Sequence, residues 1–156
     1  MTVDWPAVEL DGVRRLHVMA AAIRGASVTE RVIAAPFERV WPLLADLEGG
    51  FSKVLPDMRH VRVVWREGDG VHEGGQVEAL ARSRYGMRAR MRGEVSTGWC
   101  WLQSRFLLIG VAARPEGAGT RVAITGGPRL PGRAAILPVG VKREASRALD
   151  RLQQLV

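Results

Sequence analysis

The chain is poor in the residues that build several kinds of functional site. Cys100 is its one cysteine in 156 residues, which excludes an intramolecular disulfide framework and a zinc site made of cysteines alone. The three histidines show no His-x-x-x-His or Cys/His spacing, and motifs for nucleotide phosphates or a serine nucleophile are missing. No apolar run approaches the roughly 20 residues of a membrane-spanning helix. We therefore expect no metal, no cofactor, no membrane span and a cytoplasmic location.

Negative charge is also scarce. The chain has 23 basic and 16 acidic residues, a net charge of +7, and all but two of the basic residues are arginines. Arginine pairs well with phosphate and carboxylate, so nucleic acid or an acidic partner has to be considered. The arginines are spread from Arg14 to Arg151 instead of forming one tail. This spread favours a solvated surface and makes nucleic acid the less favoured partner.

The length and composition fit one domain with an amino-terminal extension. Hydrophobic residues make up 47% and charged residues 25% of the chain, as in ordinary globular proteins. The apolar run at 16–23 is short, contains a histidine and follows acidic residues, which does not fit a secretory signal. We expect residues 1–24 to pack on the body as an extension with a short helix, and residues 25–156 to form the single domain.

The element order predicts an α+β fold. A β-branched strand at 27–33 leads through Pro36 into a helix with a regular apolar stripe, and a second short helix is expected at 51–55. Strands and turns then alternate up to Gly127. The predicted later strands are 58–66, 76–82, 87–95, 99–108, 110–115 and 120–125. A long carboxyl-terminal helix ends the chain, and Pro138 is expected to kink or interrupt its first part. A curved antiparallel sheet of about seven strands, gripping that helix, satisfies this pattern.

The segment from Val32 to Glu48 resembles a known family. Its strand, Ala-Pro step, Val-Trp pair and Leu-x-Asp ending are similar to the opening of the START-like, or SRPBCC, superfamily, which includes polyketide cyclase/dehydrase-like and Bet v 1-like proteins. The resemblance covers roughly residues 25–156. It implies a helix-grip fold and a cavity between sheet and helix for a polyketide- or lipid-like hydrophobic molecule. It implies no particular reaction, because members share the fold without sharing catalytic residues, so cyclisation or dehydration stays open.

Alternation along the strands suggests which residues line this cavity. The strand at 99–108 can be placed in two ways: Cys100, Leu102 and Phe106 face inward, which its apolar content favours, or Trp101, Gln103 and Arg105 do. An outward pair of tryptophans, Trp99 and Trp101, would need covering by a partner subunit or the amino-terminal segment, so a homodimer also stays open. The predicted ligand-binding residues are Trp65, Ala79, Met87, Ala89, Met91, Trp101, Leu102 and Phe106.

Two sets of polar residues complete the predictions. Arg105, Gln103, Tyr85 and His60 are the candidates for orienting or polarising a carbonyl group. A second set is a stripe of arginines on one strand face, which we expect to be solvated. The stripe consists of Arg88, Arg90 and Arg92, extended by Arg82 and Arg84. If the arginine stripe serves for binding, the chain is a START-like protein whose partner is a ribosome, RNA or chaperone.

Overall fold

A computed structural model describes residues 10–55, 58–68, 75–83, 86–130, 135–138 and 140–156. Within them the chain forms four helices and seven strands. In chain order these are α1 (Gly12–Ala21), β1 (Val28–Ile33), α2 (Phe37–Ala45), α3 (Gly50–Val54), β2 (Met58–Arg66), β3 (Gly75–Ser83), β4 (Arg88–Ser96), β5 (Trp99–Gln103), β6 (Leu107–Glu116), β7 (Gly119–Pro128) and α4 (Val141–Leu155). The predicted α+β helix-grip fold is confirmed. No helix in the described ranges is long and apolar enough to cross a bilayer.

All seven strands belong to one antiparallel sheet. Strands β2 to β7 follow one another as a meander, and β1 pairs with β7, so the order is β1-β7-β6-β5-β4-β3-β2. The two edge strands are therefore β1 and β2. The connections place the β2–β3, β4–β5 and β6–β7 turns at one end of the sheet. The β3–β4 turn, the β5–β6 loop and the segment after β7 lie at the other end.

The inner face of the sheet carries the main core. Helix α4 buries Leu149 and Leu152 in the same cluster as Trp41 and Leu44 of α2. Hydrogen bonds tie α4 to β1, since the guanidinium of Arg31 donates to Asp150 and Ser146. The carboxyl-terminal helix thus closes the core.

The outer face is covered by α1, which lies before the region, residues 25–156, that resembles the START-like superfamily. Val13 and Leu16 of α1 are buried in a second cluster with Trp99 and Trp101. The two indole rings stack 6.0 Å apart, and the guanidinium carbon of Arg15 lies 4.1 Å from the centre of the Trp99 ring. The two tryptophans thus face outward, and the amino-terminal segment is what covers them.

The predicted strand at 99–108 is interrupted, and its bounds are corrected. The hydroxyl oxygen of Ser104 accepts hydrogen bonds from the backbone N–H groups of Phe106 and Leu107, at 3.2 and 3.0 Å. Such a local side-chain bond competes with the strand ladder. β5 therefore ends at Gln103, and β6 runs unbroken from Leu107 to Glu116.

The carboxyl-terminal helix begins at Val141, after Pro138, whereas Pro138 was expected within its first part. Pro138 lies before α4, and Gly140 precedes Val141 with a φ of 75°. This left-handed conformation suits glycine because it lacks a Cβ atom. Pro138 therefore precedes the helix without kinking it.

Truncating Leu149 to alanine should test the closure of the core by α4. We expect Leu149→Ala to lower the free energy of unfolding by about 2–5 kcal/mol, because the side chain is fully buried and leaves a cavity. A urea melt measures this. The matched control is Leu155→Ala on the same helix, where the side chain is 45% exposed and the loss should stay under about 0.5 kcal/mol. Equal losses for both variants would contradict the helix-grip packing.

Candidate ligand-binding site

Small side chains dominate the inner face at the centre of β3 and β4. Ala79 pairs with Met91, and Ala81 pairs with Ala89, so all four side chains share one face. Ala79 and Met91 are fully buried, Ala81 is 5% exposed, and Ala89 is half-buried against the core. The predicted inward placement of Ala79, Ala89 and Met91 agrees with these positions. Leu102 lies on the same face, fully buried.

A bulge in edge strand β2 reverses the alternation beyond Val63. The register shifts between Val63 and Trp65, so Val64 is an extra residue without a partner in the ladder. The backbone N–H of Val63 donates to the carboxylate of Glu48 at 2.7 Å, which supports the strand at this point. A β-bulge places two residues opposite one and reverses the facing of the residues that follow.

The bulge corrects the prediction for Trp65. Trp65 pairs with Glu78, whose side chain lies on the outer face, and its indole is 55% exposed. Arg66 pairs with Val77, a buried residue of the core. Regular alternation along β2, without a bulge, would place the Arg66 side chain on the outer face. Arg66 therefore faces inward at the end of β2, whereas the prediction placed Trp65 there.

Arg66 brings a positive charge toward the core beside Cys100. Burial raises the pKa of the Cys100 thiol to about 12, and the Arg66 guanidinium partly opposes that rise. Cys100 is therefore a neutral thiol at neutral pH and a poor nucleophile. None of the ion pairs within the described ranges includes Arg66.

A second polar group lies deeper in the core. Trp41 is 1% exposed and stacks against Phe37 with the ring centres 6.2 Å apart. Its indole nitrogen is buried and has no hydrogen-bond acceptor among the described residues. A buried donor left unpaired costs about 1–3 kcal/mol. Trp41 belongs to the apolar stripe of the predicted helix, and such a stripe gives no sign of an unpaired N–H group.

Three other predicted ligand-binding residues lie away from the inner face. Met87 precedes β4 and is 67% exposed, and Phe106 lies in the loop made by Ser104 and is 55% exposed. Trp101 is buried, but in the cluster beneath α1. Their expected inward placement is wrong, because the predicted strands ran through Met87 and Phe106, and because Trp101 was taken from the alternative parity.

The candidate catalytic residues do not converge. His60, Gln103 and Arg105 are exposed, and Tyr85 lies outside the described residues. His60 pairs with Arg82, and Gln103 pairs with Arg92. Within the described ranges no three histidine, cysteine, aspartate or glutamate side chains form a metal-binding group. Arg66 and Trp41 are two polar groups on the inner side of the sheet that sequence reasoning did not propose.

The arginine stripe lies on the outer face, as expected. Arg88, Arg90 and Arg92 are exposed, as is Arg82 on β3, whereas Arg84 lies outside the described residues. The stripe is partly neutralised by Glu78, whose carboxylate lies 2.9 Å from Arg90 and 3.4 Å from Arg92. These ion pairs interrupt a continuous track for phosphates. Arg88, the first residue of β4, is not part of either pair.

Two hollows on the described part of the surface bear on the site. One, of about 350 Å³, lies at the amino end of α4 and is lined by Gly25, Ala26, Ser27, Pro138, Gly140, Lys142 and Arg143. The other, of about 280 Å³, runs along β2, β3 and β4 and is lined by His60, Val61, Arg62, Leu80, Ala81, Arg82, Arg88 and Ala89. Three residues of the second hollow, Val61, Ala81 and Ala89, belong to the inner face or pack against the core. This hollow therefore borders the row of small side chains.

Comparisons with known proteins agree with the fold. Residues 25–156 match the sequence profile of the family described as polyketide cyclase / dehydrase and lipid transport. The segment before residue 25, which contains α1, lies outside that match. No curated protein matches the chain.

Solved structures share the architecture at low sequence identity. TTHA0849 from Thermus thermophilus is 24% identical with a TM-score of 0.54, and the similarity covers 83% of this chain and 95% of that one. MLL2253 from Mesorhizobium loti is 15% identical with a TM-score of 0.59, over 83% and 95% of the two chains. Ara h 8.0201 is 13% identical with a TM-score of 0.50, over 83% and 95%. At these identities the likeness concerns the fold alone.

The buried thiol should make stability depend on pH. Because the pKa of Cys100 is higher in the folded chain than in the unfolded one, its neutral form contributes stability below about pH 9 that is lost as the pH rises toward 12. Between about pH 8 and pH 10 the wild type should lose about 1–2 kcal/mol more than Cys100→Ala. Urea melts at the two pH values measure the difference. Parallel losses in both proteins would contradict a buried, neutral thiol.

Proposed function

The chain belongs to the family of polyketide cyclases, dehydrases and lipid transport proteins, and we propose that it binds a hydrophobic small molecule. The ligand lies against the inner face of β3 and β4, on the side of the sheet that α2, α3 and α4 cover. This proposal includes no resident cofactor. The polyketide- or lipid-like character of the ligand follows from the family and from the apolar lining together.

One observation carries the proposal: the inner face is built from small side chains where a solid core would use large ones. Ala79 and Ala81 on β3 and Ala89 on β4 occupy neighbouring inward positions, and Met91 beside them is a flexible side chain that can adapt to different shapes. Gly93 lies on the same face for a different reason: a Cβ atom there would lie 1.6 Å from the carbonyl oxygen of Trp101, so the close approach of β5 requires glycine. Apolar sites with a few polar groups are typical of small-molecule binding.

The two inward polar groups define what the ligand carries. The Trp41 N–H donates a hydrogen bond, and the Arg66 guanidinium binds an anionic or carbonyl oxygen. A pure hydrocarbon would leave the Trp41 donor unpaired at a cost of about 1–3 kcal/mol. The proposed ligand is therefore a hydrophobe with oxygen functions.

Catalysis would require more than the described residues bring together. Cyclisation or dehydration needs an acid or base beside the reacting carbonyl, and His60, Gln103 and Arg105 lie on the solvent side. Arg66 could stabilise a developing oxyanion, but it cannot transfer a proton at neutral pH. We propose binding as the function and attach no reaction to it. In the alternative function, the arginine stripe would bind a macromolecule. Among the described residues, the positive charge of the stripe is the one feature that favours it.

Filling the row of small side chains should abolish binding. We expect the native protein to bind anilinonaphthalene sulfonate, an apolar anionic dye, saturably and with roughly one-to-one stoichiometry. Ala89→Trp should remove this binding while the protein stays folded, because the added volume enters the ligand's space. Arg90→Trp is the matched control, since it adds an indole at the next residue of the same strand on the opposite face, and it should leave dye binding intact. Fluorescence titration and circular dichroism measure both.

The opposite result would indicate a solid core with no ligand cavity. In a solid core Ala89→Trp would overpack and lower the free energy of unfolding by about 1–3 kcal/mol, and the native protein would bind no dye. That pair of outcomes would refute the proposal.

Arg66 provides an independent check. Arg66→Gln should weaken the anionic dye by about tenfold, because a charged hydrogen bond is lost, and should leave a neutral dye such as Nile red unchanged. An equal loss for both dyes would mean that Arg66 supports the fold without contacting the ligand.

A further inference from the structure

Three connections at one end of the sheet each present an apolar side chain next to an arginine. The pairs are Met87–Arg88 at the start of β4, Arg105–Phe106 in the β5–β6 loop and Arg129–Leu130 after β7. Antiparallel pairing places these connections at the same end, which also holds the beginning of α4. We call this end, with Leu137, Lys142 and Arg143, the basic end.

The apolar side chains of the basic end stand out into solvent. Met87 is 67%, Phe106 55%, Leu137 44% and Leu130 38% exposed. The backbone holds three of them in one region. The N–H of Arg129 donates to Phe106 at 2.8 Å, the N–H of Leu130 to Ala135 at 3.1 Å, and the N–H of Leu137 to Pro128 at 2.8 Å. A cluster of exposed large apolar residues on ordered backbone indicates an interaction surface.

The cations of the basic end are not neutralised by described carboxylates. Arg88, Arg105, Lys142 and Arg143 are exposed, and no ion pair within the described ranges includes them. Arg129 donates to the carbonyl oxygen of Ser104 at 2.9 Å, also without a carboxylate.

The described carboxylates lie mostly elsewhere. Glu144, in the first turn of α4, is the nearest one and lies 3.1 Å from Arg147. Glu67 and Glu116 are at the opposite end of the sheet, and Asp11 precedes α1 close to that end. The protein therefore has one end that is positively charged and apolar, and another end that carries carboxylates.

From this arrangement we propose that the basic end docks onto an anionic phospholipid surface. The apolar side chains insert among the lipid chains at the interface, and the arginines and Lys142 bind the lipid phosphates. Apolar area and attraction to anionic lipid are the two terms that govern interfacial binding. A nucleic acid would need the cations but would gain little from Met87, Leu130 and Leu137, because single-strand binding relies on aromatic stacking.

The docking proposal stands apart from the proposed ligand site. Its residues are exposed, and none of them belongs to the row Ala79, Ala81 and Ala89. It would hold for a protein that stores no ligand, and the Nile red measurement above does not depend on the cations of the basic end.

Sedimentation of the full chain with vesicles tests the proposal. We expect binding to phosphatidylcholine vesicles that contain phosphatidylglycerol, weak binding to phosphatidylcholine alone, and release by salt. Arg88→Gln with Arg105→Gln should weaken the anionic partition coefficient by roughly tenfold or more, at about fivefold per charge. Met87→Ser with Phe106→Ser should weaken it by roughly tenfold or more as well, because apolar insertion is lost.

Matched controls lie at the other end of the molecule. Arg14→Gln with Arg39→Gln removes two exposed arginines on α1 and α2, and Leu155→Ser removes an apolar residue that is 45% exposed on α4. Both control proteins should bind vesicles like the wild type. Circular dichroism melts confirm that every variant is folded.

Three outcomes would overturn the proposal. Equal binding to neutral and anionic vesicles would remove the role of the cations, and equal losses in the basic-end and control variants would mean that net charge alone acts. Binding of a fluorescent single-stranded RNA without any binding to vesicles would make nucleic acid the partner of this end.

Discussion

A β-strand sends successive side chains to opposite faces of its sheet, and both faces of this sheet are covered over part of their area. The core beneath α4, the tryptophans beneath α1 and the solvated arginines all depend on that alternation. At Val64 one inserted residue reverses it, and the reversal sends Arg66 inward and Trp65 outward. The polarity of the candidate site thus depends on a single position of the edge strand.

The fold could be predicted because its signals are local and repeated. Apolar stripes mark α2 and α4, β-branched runs mark the strands, and Ala35-Pro36 marks the step between strand and helix. The site could be predicted only where alternation is uninterrupted, as at Ala79 and Met91. Beside the bulge at Val64, the backbone N–H of Val63 donates a hydrogen bond to Glu48, which is distant in sequence. At the break after Gln103, the hydroxyl oxygen of Ser104 accepts hydrogen bonds from two backbone N–H groups. In the sequence, Val64 and Ser104 have the pattern of ordinary strand residues. No local pattern therefore predicts the bulge in β2 or the end of β5.

Covering the outer face is a separate requirement that the amino-terminal segment meets. Trp101 lies over Gly110, where a Cβ atom would come within 2.9 Å of the indole and 2.8 Å of Leu16. The acid Glu94 accepts hydrogen bonds from Arg15 and from the indole N–H of Trp99, both at 2.6 Å. Helix α1 is therefore fitted to this face by shape and by charge. These contacts remove both tryptophans from solvent.

The proposed ligand site and the basic end place opposite demands on the same strands. β4 begins with the exposed Met87 and Arg88 and then turns Ala89 and Met91 toward the core, so one short stretch contributes to both. Arg88 and Arg66 nevertheless lie on opposite faces and near opposite ends of the sheet. The chemistry inferred for the ligand and the chemistry inferred for the docking surface are therefore alike, a hydrophobe with an anionic or carbonyl oxygen, although each rests on a different arginine.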